Sequence, residues 1–340
     1  MKPSIRNLVS SLGSARRTKI LATGFSATAL SLIGLAWSVQ PAQAGYSIQY
    51  ITDPLNTAFT QALGINNSST IVGYGNQTVF NGFQLVLPST FTRENFPGAT
   101  GGTQVTGIDA GGDTVGFYVN PDATTHGFLK PAGGAFQTVD QPTSVFNQLL
   151  GINQNGNEIA GYSSFTDVTG VTGQKAFSLV GTTYTDVNGL LPSNVNSQAT
   201  GVNNAGNVVG FYMPTTTTST GFLDKSGTIT PIDPFGSTFT QALGINDNGE
   251  IVGFETDANG VQHGYVDLNG VFSTFDPPNS ASTTINGVND LGQIVGFFTS
   301  NATDTVIGFV ATPVPEPASS LLLASGLFGL GAIRRRRKAG

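Results

Sequence analysis

One phrase recurs six times along this chain of 340 residues: GINNSSTIVGY from Gly64, GIDAGGDTVGF from Gly107, GINQNGNEIAGY from Gly151, GVNNAGNVVGF from Gly201, GINDNGEIVGF from Gly244 and GVNDLGQIVGF from Gly287. Successive first glycines lie 43, 44, 50, 43 and 43 residues apart. A register kept over that length marks one supersecondary unit, copied. Such a unit buries its apolar face only against its neighbours, so the fold is a ring or a stack of like modules.

Each unit reads as four short strands. In the fifth copy these are Thr240 to Ile245, Ile251 to Phe254, His263 to Leu268 and Val271 to Asp276. Val, Ile, Thr, Phe and Tyr fill the runs, while Gly, Asn, Asp and Pro punctuate them. The turn between the first two strands opens on Asn or Asp and closes on Gly three positions later, as at Asn153 and Gly156 or Asn246 and Gly249. This spacing predicts a type I turn followed by a left-handed residue. Ser69 replaces the glycine in the first copy, so the first hairpin is expected to be the loosest. The third copy is longer, and its extra residues are expected to protrude around Leu190 to Ser197.

Four strands in about 43 residues is the period of a β-propeller blade. The sixth copy stops after Ile307-Gly308-Phe309, without a fourth strand. The missing phrase stands near the front of the chain, where Ser47 to Pro54 matches Thr228 to Pro234. A ring uses both pieces and leaves no unpaired edge. The expected fold is all-β: a six-bladed β-propeller over residues 45–312, closed by the N-terminal strand.

Charge is sorted along the chain. Five of the fourteen Lys and Arg lie in residues 1–44 and five in 334–338, leaving Arg93, Lys130, Lys175 and Lys225 between them. Nineteen of the twenty Asp and Glu lie in residues 45–312, so this body carries a formal charge of −15. Such a surface repels nucleic acid and anionic lipid. The chain has no cysteine. Thiol catalysis and thiolate metal sites are excluded, and a body of about 270 residues buries a core without disulfides.

Both ends read as addresses. Residues 1–44 have the form of a secretory signal peptide: a basic start, an apolar stretch from Ile20 to Val39, and Ala42-Gln43-Ala44 as the cleavage site for signal peptidase. General secretion is favoured over twin-arginine export, because Thr18-Lys19 follows Arg16-Arg17 where an apolar pair belongs. An uncleaved N-terminal anchor is the alternative. At the other end (residues 313–340) Pro315-Glu316-Pro317 precedes an apolar run, 318–333, and then Arg334, Arg335, Arg336, Arg337 and Lys338. As a helix the run reaches about 24 Å, short of the ~30 Å hydrocarbon core, and snorkelling arginines extend it. The expectation is a single transmembrane helix with a basic stop, 334–338, held on the cytoplasmic side.

This tail resembles the PEP-CTERM sorting signal of Gram-negative bacteria. The resemblance implies an exosortase-like enzyme as partner, a transient stay in the inner membrane, and delivery to the cell surface or beyond. It also implies an association with exopolysaccharide and biofilm matrix. The repeat phrase is similar to bacterial extracellular HAF repeats, named for a His-Ala-Phe triplet. The matching triplets here are His126-Gly127-Phe128 and His263-Gly264-Tyr265, with Lys175-Ala176-Phe177, Thr220-Gly221-Phe222 and Ile307-Gly308-Phe309 departing from it. That resemblance implies a secreted repeat protein and supplies no catalytic residue.

The remaining chemistry is sparse. His126 and His263, the two histidines, share one repeat position, which favours a packing or hydrogen-bonding role. Asp53, Asp140, Asp186, Asp233 and Asp276 recur at the end of the fourth strand. Asp-Pro and Asp-x-Pro are turn starters; the functional alternative is a circle of carboxylates taking Ca²⁺ or polar ligands. No nucleophile elbow, zinc helix or P-loop is present, and no cofactor is implied. The expected function is a non-enzymatic binding or scaffolding module on an exported protein. The rival is a polysaccharide-active hydrolase or lyase that uses one of many acid pairs.

Overall fold

A computed structural model describes residues 45–314, apart from residues 56, 77, 167–169, 171, 188–190, 193 and 194. The export signal, the cleavage site at Ala42 and Ala44, and the sorting tail from Pro315 onward lie outside the described residues. Among the described residues no helix is long and apolar enough to cross a membrane.

The body is built of strands. A first strand, β1 (Tyr46–Ile51), precedes the repeats. The first copy holds β2 (Thr60–Ile65), β3 (Thr70–Asn76), β4 (Phe80–Val86) and β5 (Thr90–Arg93), and the second β6 (Gly102–Ile108), β7 (Thr114–Val119), β8 (Thr125–Lys130) and β9 (Gln137–Thr138). The third holds β10 (Asn147–Ile152), β11 (Glu158–Thr166), β12 (Thr172–Val180) and β13 (Thr183–Asp186), and the fourth β14 (Asn196–Val202), β15 (Val208–Met213), β16 (Thr220–Lys225) and β17 (Thr228–Ile232). The fifth holds β18 (Thr240–Ile245), β19 (Glu250–Thr256), β20 (Gln262–Leu268) and β21 (Val271–Phe275), and the sixth β22 (Ser280–Val288), β23 (Ile294–Ser300) and β24 (Val306–Pro313). Within each copy the strands pair antiparallel in chain order. A single parallel bridge, Phe80 to Gly102, ties the first sheet to the second. In the last sheet β1 takes the fourth place: it pairs with β24, setting Tyr50 opposite Phe309 and Ile51 opposite Gly308.

The first strand of each copy touches the first strand of the next, and β22 touches β2. Glycine makes that approach possible. A Cβ on Gly64 would lie 2.9 Å from the Thr106 carbonyl, one on Gly151 2.7 Å from the Thr200 carbonyl, and one on Gly287 3.1 Å from the Leu63 carbonyl. β22 thus approaches β2 as closely as the other first strands approach their neighbours. Just before each of these glycines the ladder slips by one residue, as between Ala62 and Gly64 or Ile285 and Gly287. The extra residue of such a bulge leaves the pairing and is re-aimed.

A second glycine serves the core. Gly73, Gly116, Gly161, Gly210, Gly253 and Gly296 each stand opposite an aromatic residue of the third strand: Phe83, Phe128, Phe177, Phe222, Tyr265 and Phe309. A side chain at Gly253 would sit 1.9 Å from the Gln241 carbonyl and 2.9 Å from the Tyr265 hydroxyl. The ring lies across the bare glycine and is buried by the next sheet. Each such burial contributes roughly 1.5–3 kcal/mol. Six apolar clusters result, each shared by two successive copies. The one that contains Ile51, Phe83 and Val310 joins the sixth copy to the first.

The predicted turn forms in all six copies, the first included. Gly112, Gly156, Gly206, Gly249 and Gly292 have φ between 71° and 90°, and each N–H donates to the carbonyl of the Asn or Asp three residues earlier. Ser69 adopts the same turn at φ 60° and makes the same bond at 3.0 Å. Its hydroxyl also donates to Gln293 Oε1 at 2.6 Å, so this hairpin is fastened to the sixth copy. The expected protruding loop in the third copy is corrected. Part of the extra length extends the β11–β12 hairpin, whose strands have nine residues each. In the rest, Val187, Leu191 and Val195 are buried in a cluster with Ala176 and Phe222, because apolar side chains are held inward by burial.

Candidate functional site

The two residue sets singled out at the strand ends are partners. His126 Nδ1 lies 2.6 Å from Asp140 Oδ2, and His263 Nδ1 lies 2.6 Å from Asp276 Oδ2. At the same place in the third copy Lys175 Nζ lies 3.5 Å from Asp186. The third and fourth strands are antiparallel neighbours, so the start of one faces the end of the other. Asp233 faces no such cation, because Thr220 stands at the corresponding position. It is exposed ahead of the 3₁₀ turn Pro234–Gly236, and its side chain does not cap that turn.

Asp53 differs. It is 1% exposed and accepts from both terminal guanidinium nitrogens of Arg93, from Nη1 at 2.7 Å. The Leu55 N–H donates to its Oδ1 at 2.8 Å, which is the turn-starting role. Burial pushes the Asp53 carboxyl up, but Arg93 and the Leu55 N–H outweigh it and hold the group below the usual range. This pair fastens the end of β1 to β5. Lys130 likewise pairs with buried Glu94 at 2.7 Å. Three of the four basic residues in the body are thus engaged by its own carboxylates. Among the described residues no group of three or more His, Asp or Glu is arranged to hold a metal ion.

His263 has the most crowded surroundings. The Asp276 hydrogen bond, foremost, raises its pKa above the ordinary histidine value, and Glu255 and Asp257 add to it. Glu255, opposite His263 in the ladder, is 5% exposed, and burial pushes its carboxyl up.

The centre of the molecule has a different character. The bulge residues Leu63, Thr106, Leu150, Thr200, Leu243 and Asn286 line two adjoining cavities. One is a neck of about 60 Å³ among the convergent glycines. The other is a chamber of about 460 Å³ that also takes in Gln61, Gln198, Gln241 and Gln262, with Phe211, Phe254 and Phe297. No residue lining the chamber is charged, in a body with a formal charge of −15. Thr106 donates its hydroxyl to the Leu149 carbonyl at 2.8 Å, and Thr200 donates to the Ala242 carbonyl at 2.7 Å. Each threonine therefore bonds the next copy. Asn286 Oδ1 is buried without a hydrogen-bond partner among the described residues.

Sequence reasoning did not single out this chamber. Its signal is present: glutamine stands three residues before the repeat glycine in five copies, at Gln61, Gln104, Gln148, Gln198 and Gln241, with Thr284 in the sixth. The column was read as strand. Only the bulge beside it shows that its neighbours face the chamber.

Three solved structures illustrate what the chain is similar to. The β-propeller domain of the Trilobed protease from Pyrococcus furiosus, described as having an open velcro topology, matches with a TM-score of 0.48 at 8% identity, over 74% of this chain and 95% of that one. AofleA from Arthrobotrys oligospora matches with a TM-score of 0.48 at 10% identity, over 80% and 91%. The fungal lectin of Aleuria aurantia, described as a six-bladed β-propeller with a novel fucose recognition mode, matches with a TM-score of 0.44 at 11% identity, over 80% and 97%. At such scores these likenesses say nothing of a ligand here. No curated protein matches the chain at a significant level. Residues 313–337 match the PEP-CTERM protein-sorting motif. The chain carries, in that tail, the sorting motif of an exported protein with a C-terminal anchor.

Proposed function

We propose that residues 45–314 form a closed six-bladed propeller that acts as a non-enzymatic binding or scaffolding module. The exported protein is released by an exosortase-like enzyme to the cell surface or the surrounding matrix, where exopolysaccharide is its partner. The circuit of first strands and the seat of β1 beside β24 support the ring. Similarity of the repeat to HAF-type extracellular repeats accords with a secreted role.

The observation that carries the binding reading is the uncharged chamber on the axis. Hydrolysis or elimination on a sugar chain needs positioned acids and bases. Four of the five acids at the strand ends are paired with Arg, Lys or His instead, and the amide-lined chamber offers hydrogen bonds without a group that titrates. The raised Glu255 beside Asp257 and Asp276 gives the rival enzyme its best location. A glycan array run with a reducing-sugar assay separates the two. Binding without turnover supports the module. Turnover abolished by Glu255→Gln establishes the enzyme and overturns the proposal.

A further inference from the structure

We infer that the axial chamber is a site for a neutral saccharide unit, oriented by Asn286 and the surrounding glutamines against the rings of Phe254 and Phe297. The inference rests on the binding-module reading and adds to it a place and a ligand chemistry.

Asn286 is the first reason. At this bulge position the first, third and fifth copies carry Leu, and the second and fourth carry Thr with a satisfied hydroxyl. Only the sixth copy carries an amide at this bulge position, and its Oδ1 is buried without a donor among the described residues. A buried acceptor without a partner is destabilising, and rotation of the Asn286 amide, which lines the chamber, brings that acceptor to a donor on a ligand.

The walls supply the rest. Gln61 and Gln241 make no side-chain hydrogen bond among the described residues, so their amides are free to pair with hydroxyls. Each amide offers donor and acceptor side by side, as a sugar hydroxyl does. Phe254 and Phe297 are half-buried on the same wall, and the apolar face of a sugar ring packs on an aromatic ring. A chamber of about 460 Å³ is within the range of ligand pockets. The ligand is neutral because no cation lines the chamber and the acidic body repels an anionic polymer.

The test uses the full chain purified in detergent, titrated with neutral gluco- and galacto-oligosaccharides and with an oligogalacturonate, and read by ligand-observed NMR and calorimetry. At least one neutral oligosaccharide is expected to bind, and the oligogalacturonate is not. Asn286→Leu installs the residue of three other copies, so the fold is preserved. It is expected to raise the melting temperature and weaken binding by about tenfold or more. Gln241→Ala weakens binding in the same direction, while His263→Gln on the strand ends leaves it unchanged. Binding that survives Asn286→Leu overturns the inference and leaves the binding module standing. Binding of no neutral oligosaccharide, or preference for the uronate, also overturns the inference. Cleavage of the oligosaccharide overturns the module reading itself.

Discussion

Asn289 donates from Nδ2 to the Asn66 carbonyl at 3.0 Å, across 223 residues of sequence. The same bond runs from Asn66 to Asp109, from Asn203 to Asn246 and from Asn246 to Asn289. These four Asn residues therefore work twice: Oδ1 holds the residue's own hairpin, and Nδ2 holds the next copy, whereas Asn153 Nδ2 donates within its own turn to Asn157 Oδ1. Asn289→Asp keeps the acceptor and removes the donor. It is expected to cost about 1–3 kcal/mol in urea unfolding, because a buried carboxylate then faces the Asn66 carbonyl, which keeps only the Ser69 N–H.

Asp109 is the natural inverse. It occupies the Asn position in the second copy, and burial raises its carboxyl above the usual range. The folded state therefore binds a proton more tightly than the unfolded one, so stability falls as pH rises from the unfolded pKa through the folded one. Asp109→Asn removes that loss and supplies a donor. It is expected to gain about 1 kcal/mol at pH 7 and less under acid conditions, as read from melts at both pH values.

Two glycines separate strain from space. Gly249 has φ 82°, and its nearest neighbour to an added Cβ is Asn269 Oδ1 at 3.8 Å, so Gly249→Ala meets strain alone and costs about 1–2 kcal/mol. Gly253→Ala drives a methyl group to 1.9 Å from the Gln241 carbonyl and displaces Tyr265. Its expected cost exceeds about 3 kcal/mol. Equal costs in denaturant titration contradict the packing described.

The His263–Asp276 pair predicts a pH window. With the histidine pKa raised in the folded state, its stabilisation is complete below the unfolded value near 6.5 and fades as pH rises through the folded value. Loss of stability in His263→Gln is expected to be about 0.5–1 kcal/mol at pH 5 and to vanish in alkaline buffer.

Most of the fold was legible because the repeat displays its own constraints. Turn glycines, apolar alternation and a spare strand at the front each leave a mark at fixed spacing. Relations between copies are less visible. Asp53 and Arg93 lie 40 residues apart in different sheets, and no local pattern joins them. His126 and Asp140 were each conspicuous, yet their partnership depends on strand pairing. The third copy's extra length reads as a protruding loop, and only the burial of Val187, Leu191 and Val195 decides its course. The glutamine column was visible as a column, but its exposure to the axis depends on a bulge that sequence periodicity does not reveal.

The seat of the first strand is tested most directly by a disulfide. Ser47 and Thr312 are exposed partners in the β1–β24 ladder, and the chain has no native cysteine to compete. Neighbouring antiparallel Cα atoms lie about 4.5–5.5 Å apart, which a disulfide spans. In the Ser47→Cys/Thr312→Cys protein, mild oxidation is expected to produce a near-complete intramolecular link and raise the melting temperature, while Ser47→Cys paired with Thr228→Cys on β17 stays reduced. A Ser47–Thr312 pair that remains reduced while the protein is folded would contradict the closed ring.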